Sequence, residues 1–268
     1  MKADRHSFQN HLGVLSYNVY QGGKKKMLAF HGFGQRSESM SSIINALSYK
    51  YTIYAFDLFF HGESTWSDVE KPLYPEDWRG FLKSILEKHK IDTFSIIAFS
   101  IGAKFALSTL TLFPGRIQKI FLIAPDGIGI NFWYSLATRF SLTRSYFKSI
   151  VRKPNRLSNL LYMLKAMRII DRSLFRFASH YMSTEERRQQ VYHVWTVFRH
   201  LNVSKADITL HLNDNNVMLS IFLGAYDKVI VKRNITSLLK RIRLHHLEII
   251  CCKHGQLLEK ATELLVHS

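Results

Sequence analysis

Short apolar runs alternate along this chain with segments whose apolar residues recur at helical spacing. Leu12 to Tyr20 and Lys25 to Phe30 predict an early strand pair, followed by a helix from about Ser39 to Tyr49 and a strand at Tyr51 to Phe56. Further on, the pattern predicts a helix from about Pro75 to His89, a strand at Thr93 to Ala98, a helix from Lys104 to Leu112 and a strand at Ile117 to Ala124. Val217 to Gly224 and Leu244 to Cys252 read as late buried strands, and Gln256 to Val266 as a terminal helix. Regular alternation of this kind predicts an α/β fold: a mostly parallel sheet flanked by helices, with the site at the carboxyl ends of the strands.

Between Asp126 and about Ala206 the alternation stops, and helix-like runs lie around Asn131 to Phe140, Ser158 to Met167, Asp171 to Tyr181 and Thr184 to Phe198. Ser183 or Thr184 with the acids Glu185 and Glu186 marks a helix start. Aromatic side chains of this stretch, among them Phe132, Trp133, Tyr134, Tyr162 and Trp195, are expected in its core.

A chain of 268 residues, 47% of them hydrophobic, can bury a large core. No apolar run approaches the roughly 18 residues of a membrane span, and Met1 to His11 lacks the apolar core of a secretory signal. The expectation is a soluble, cytoplasmic protein. Cys251 and Cys252 are adjacent, so strand geometry points them to opposite faces and makes them poor disulfide partners.

Charge changes this picture in one region. Residues 139 to 205 hold 14 Lys and Arg against 3 acids, a net +11 of the chain's +17. Such a segment attracts anions: a carboxylate or phosphate on a substrate, an acidic membrane surface, or nucleic acid without sequence preference. No basic cluster alternates with aromatics in a nucleic-acid motif, so no specific nucleic-acid partner is expected.

The chemistry-bearing residues sit where strands end. In Ile96-Ile97-Ala98-Phe99-Ser100-Ile101-Gly102-Ala103 an apolar run meets a small-residue turn and then a helix-like run, the form of a nucleophile elbow. A serine hydroxyl needs a histidine to take its proton and an acid to orient that histidine. Asp227 follows the strand ending at Gly224, and His254 lies between the last strand and the terminal helix. Asp126, at the end of its own strand, is an alternative acid. His31-Gly32-Phe33-Gly34 ends the strand Lys25 to Phe30; the backbone N–H groups of Phe33 and Ile101 would form an oxyanion hole. The histidines show no ligand spacing that suggests a metal, and no phosphate loop or dinucleotide fingerprint is present, so neither metal nor cofactor is expected.

These residues, together with Asp57-Leu58-Phe59-Phe60-His61-Gly62-Glu63-Ser64 and His254-Gly255, resemble the α/β-hydrolase superfamily, in particular its small esterases, lipases and meta-cleavage-product hydrolases. Ala98 departs from the family's G-x-S-x-G, where a glycine stands. The resemblance implies the α/β-hydrolase fold, with residues 1–125 and 207–268 as core and 126–206 as a helical cap insertion. It implies Ser100, Asp227 and His254 as the triad of a hydrolase acting on a small acyl substrate, an ester, thioester or activated carbon–carbon bond. It also implies that Asp57 and His61 shape the site wall. A lyase or synthase taking an anionic substrate on the same fold, and a catalytically silent binding protein, are the alternatives.

Overall fold

The computed structural model describes residues 2–128, 134–135, 138, 140–167, 175, 179, 181–230 and 232–265. Among the described residues the strands are β1 (Asp4–Asn10), β2 (Gly13–Tyr20), β3 (Lys25–Phe30), β4 (Tyr51–Phe56), β5 (Thr65–Trp66), β6 (Phe94–Phe99), β7 (Ile117–Ile123), β8 (Met218–Gly224) and β9 (His245–Ile250). The helices are α1 (Ser41–Leu47), α2 (Pro75–Lys88), α3 (Gly102–Leu112), α4 (Ser141–Arg152), α5 (Pro154–Ala166), α6 (Glu185–Val197), α7 (Lys205–Asp214), α8 (Lys232–Leu239) and α9 (Leu257–Leu265).

All the strands join one sheet of order β1-β2-β4-β3-β6-β7-β8-β9, with β5 paired to β2. The pairs involving β1, β2 and β5 are antiparallel; from β4 through β9 the neighbours are parallel. Every residue of β4 and β6 is buried, which explains their unbroken apolar sequences: a parallel strand covered on both faces has no polar side to present. Trp78 of α2 and Phe105 of α3 pack edge to face 5.0 Å apart, and the Trp78 Nε1–H donates to Thr109 Oγ1 at 2.9 Å. That contact braces the helix that carries the elbow.

The chain divides into two units, one of residues 1–67, 74–129 and 201–268, the other of 68–73 and 130–200. The first contains the whole sheet. In the second, Phe147 of α4 packs against Tyr192 and Trp195 of α6, and the buried Arg188 donates from Nε to the Val151 carbonyl at 2.9 Å. Thr184 caps α6, its hydroxyl accepting from the Arg187 N–H.

Several sequence expectations need correction. β1 reads DRHSFQN, too polar for a strand signal, yet its ladder on β2 is complete because edge strands need only one apolar face. β9 is an edge strand and largely uncovered, not buried, and ends at Ile250, leaving the two cysteines in the following bend. Their expected separation holds: Cys251 is exposed and Cys252 buried. Helices α4, α7 and α8 have no counterpart in the sequence reading. Tyr162, expected in the core, is 62% exposed. Phe132 and Trp133 lie outside the described residues, as does most of the run Asp171 to Tyr181.

Candidate active site

Ser100 stands at the carboxyl end of β6 with φ +50°, a left-handed conformation that costs a non-glycine residue about 1 kcal/mol. Neighbouring backbone holds it there. The Ser100 N–H donates to the Ile123 carbonyl at 2.9 Å, and the Ser100 carbonyl accepts from the N–H groups of Asp126 and Ala103, each at 3.0 Å. The end of β7 thus clamps the turn from one side and α3 continues from the other. Ala98, where the family pattern has glycine, is fully buried between Phe30 of β3 and Leu122 of β7, and its methyl is accommodated. Gly102 has no such latitude: a Cβ there would come within 2.4 Å of the Phe30 carbonyl oxygen and 2.7 Å of that of His31. Gly102→Ala is therefore expected to destabilise the protein by about 2 kcal/mol through overpacking against backbone that cannot yield, read as a lower urea midpoint.

Two strands away, β8 delivers Asp227, and one strand further β9 leads to His254. The His254 Nδ1–H donates to Asp227 Oδ2 at 2.7 Å, while Asp227 Oδ1 accepts from the N–H groups of Val229 at 2.8 Å and Ile230 at 3.1 Å. Burial pushes the Asp227 carboxyl up, but the bond to His254, its charge and these two amides outweigh that and hold it below the usual carboxylate range. The carboxylate stays ionised, His254 is fixed in the tautomer that leaves Nε2 available, and the ring lies 5.2 Å from that of Phe99, the residue before Ser100. Asp126, the alternative acid, is engaged elsewhere: its Oδ1 accepts from the Gly127 N–H at 2.8 Å. The structure brings together Asp227 and His254, and sets Ser100 beside the residue against which His254 rests.

The turn after β3 is held by histidine pins. Leu58 N–H donates to His31 Nε2 at 3.0 Å, so His31 must carry its proton on Nδ1, which donates to the Gly32 carbonyl at 2.7 Å. Gly34 N–H donates likewise to His61 Nε2 at 3.0 Å, and the His61 Nδ1–H donates to the Phe59 carbonyl. Phe33 lies between these anchors. Ile101 caps α3, the position where helix geometry leaves N–H groups without an intrahelical partner. Asp57 accepts from Ser37 and Glu63 N–H groups, and Gly62 (φ +53°) leaves room for its carboxylate, since a Cβ would lie 2.1 Å from Oδ2. Asp57 and His61 thus tie together the loops that follow β3 and β4. Sequence reading missed Gln35, whose Oε1 accepts from the Gly32 N–H at 2.9 Å; an amide closing its own loop leaves no motif. Among the described residues, no group of three or more His, Cys, Asp and Glu is placed to hold a metal ion.

The pins carry a pH signature. Burial, with His61 nearby, pushes His31 down to about 3, and burial pushes His61 down to about 4. Both are neutral when folded and free to protonate when unfolded, so below about pH 6.5 the unfolded chain binds more protons. Their stability contribution is complete above that pH and is lost as pH falls toward the two folded values. Near pH 5 the pair imposes a slope of about 2.7 kcal/mol per pH unit, measurable by urea denaturation across a pH series. Constant stability between pH 7 and 5 contradicts this role.

Residues 26–153 match the family model described as alpha/beta hydrolase fold. The chain has the α/β-hydrolase fold. A serine hydrolase from Cycloclasticus zankles shares this α/β-hydrolase fold at a TM-score of 0.67, with 18% identity and coverage of 99% of this chain and 97% of the other. Naproxen esterase from Bacillus subtilis does so at 0.64, with 14% identity over 99% and 91%. The mouse (lyso)-N-acylphosphatidylethanolamine lipase is 27% identical over 130 residues, 46% of this chain and 36% of the lipase. The matched region spans about a third of the length of the curated relatives.

Proposed function

We propose that this protein of α/β-hydrolase fold is a serine hydrolase cleaving a carboxylic ester or a closely related acyl compound, a thioester or an activated carbon–carbon bond. The observation that carries the reading is the 2.7 Å Asp227–His254 bond, with its imidazole resting on Phe99 beside a serine at φ +50°. In this mechanism Ser100 Oγ attacks the acyl carbonyl as His254 Nε2 takes its proton, and the N–H groups of Phe33 and Ile101 receive the oxyanion. The proton then passes to the leaving group, giving an acyl-enzyme. Water attacks that ester with His254 again as base, and the proton returns to Ser100. Asp227 remains ionised throughout. The serine hydrolase, esterase and lipase among the similar proteins agree with this chemistry.

Fluorophosphonate is the direct test, because it reacts with a serine only where a base and an oxyanion site activate it. The expected result is one covalent adduct mapped to Ser100, with turnover of a graded panel of acyl esters setting the chain-length preference. An adduct on another serine, or none on folded protein, removes the proposal.

A further inference from the structure

The second unit leaves apolar side chains in solvent on two consecutive helices. On α4, Leu142 and Tyr146 stand one turn apart and are 84% and 53% exposed; on α5, Tyr162 and Met163 are 62% and 51% exposed. The opposite face of α4 is ordinary core, with Phe147, Ile150 and Val151 buried. Leu160, Leu161 and Leu164 of α5 are each only partly buried. Single exposed apolar residues need no explanation, whereas four large ones on two consecutive helices suggest a binding surface, although Tyr162 also packs against Phe175.

Charge specifies the partner. Between Asp126 and Asp171 the chain has no acidic residue and eight Lys and Arg. Arg152, Lys153 and Arg156 lie exposed where α4 passes into α5, and Lys148 pairs with Glu70. A second copy is a poor occupant, because each chain brings a net +17 and the same acid-free segment. Apolar side chains together with lysine and arginine on two helices that carry no acid of their own are the pattern of a helix lying in a membrane interface. Among the described residues no helix is long and apolar enough to cross a membrane.

We propose that the α4–α5 face binds the surface of an anionic lipid bilayer, its apolar side chains entering the headgroup boundary while Arg152, Lys153 and Arg156 meet the lipid anions. This is independent of the serine chemistry. It is therefore tested on the full chain carrying Ser100→Ala, by co-sedimentation with vesicles of phosphatidylcholine alone and of phosphatidylcholine mixed with phosphatidylglycerol.

Binding is expected to the mixed vesicles only, and to weaken with added salt. Arg152→Gln, Lys153→Gln and Arg156→Gln are each expected to weaken it about fivefold. Leu142→Ser combined with Tyr146→Ser is expected to abolish it; both positions are exposed, and circular dichroism verifies the fold. Lys24→Gln with Lys25→Gln, removing charge from the other unit, is expected to change binding far less. Absent binding to mixed vesicles, equal binding to both lipids, or equal loss from the Lys24/Lys25 control each overturns the proposal. So does sedimentation equilibrium showing that Leu142→Ser with Tyr146→Ser dissolves a self-associated form.

Discussion

Ser100→Ala is expected to abolish fluorophosphonate labelling and to lower kcat for ester hydrolysis by about 10⁶, with the fold unchanged. The residual rate would come from binding and the oxyanion donors alone, since His254 would have no hydroxyl to deprotonate. Alanine suffers the same left-handed conformation at φ +50° as serine, so the variant tests chemistry rather than strain. Ser100→Gly separates the two. Glycine adopts positive φ freely, so this variant is expected to be equally inactive yet about 1 kcal/mol more stable in urea denaturation. Covalent labelling that survives Ser100→Ala would dismiss Ser100 as nucleophile.

Much of this arrangement was legible in the sequence because it depends on elements whose residue patterns are locally forced. Central strands such as Thr93 to Ala98 carry unbroken apolar runs, and Gly102 is demanded by carbonyl oxygens less than 3 Å from where a Cβ would be. The boundaries of β3 and β4 follow the predicted limits for the same reason. Features dependent on partners far along the chain were not legible. β1 becomes a strand only because β2 offers it a ladder, and β9 lies largely exposed at the other edge of the sheet. Chain position alone puts Asp227 ahead of Asp126 as the acid, since both end strands. It takes coordinates to see one carboxylate on His254 and the other turned onto its own Gly127. Likewise, His31 and His61 appear in the sequence as motif letters, whereas their work is to accept N–H groups from each other's loops after the adjacent strands β3 and β4.

Asp227→Asn is expected to lower turnover by about 10⁴ while the protein stays folded. Asparagine keeps an oxygen for the Val229 and Ile230 N–H groups that Asp227 Oδ1 now serves, so the turn after β8 survives. Its amide then faces His254 Nδ1 where the carboxylate oxygen was. An amide N–H donates, so Nδ1 must accept, and the imidazole proton moves to Nε2. In the proposed mechanism Nε2 takes the Ser100 proton, so on that reading the base is blocked rather than merely weakened. The imidazolium formed during attack also loses its ionised partner, which adds to the cost. Asp126→Asn provides the contrast. Its side-chain oxygen can still accept from Gly127 N–H, and turnover is expected to fall by less than about tenfold, the effect of a neighbouring charge removed without loss of a catalytic contact. Measured side by side, with thermal melts confirming both folds, the two variants rank the acids; a larger loss from Asp126→Asn would transfer the orienting role to the end of β7.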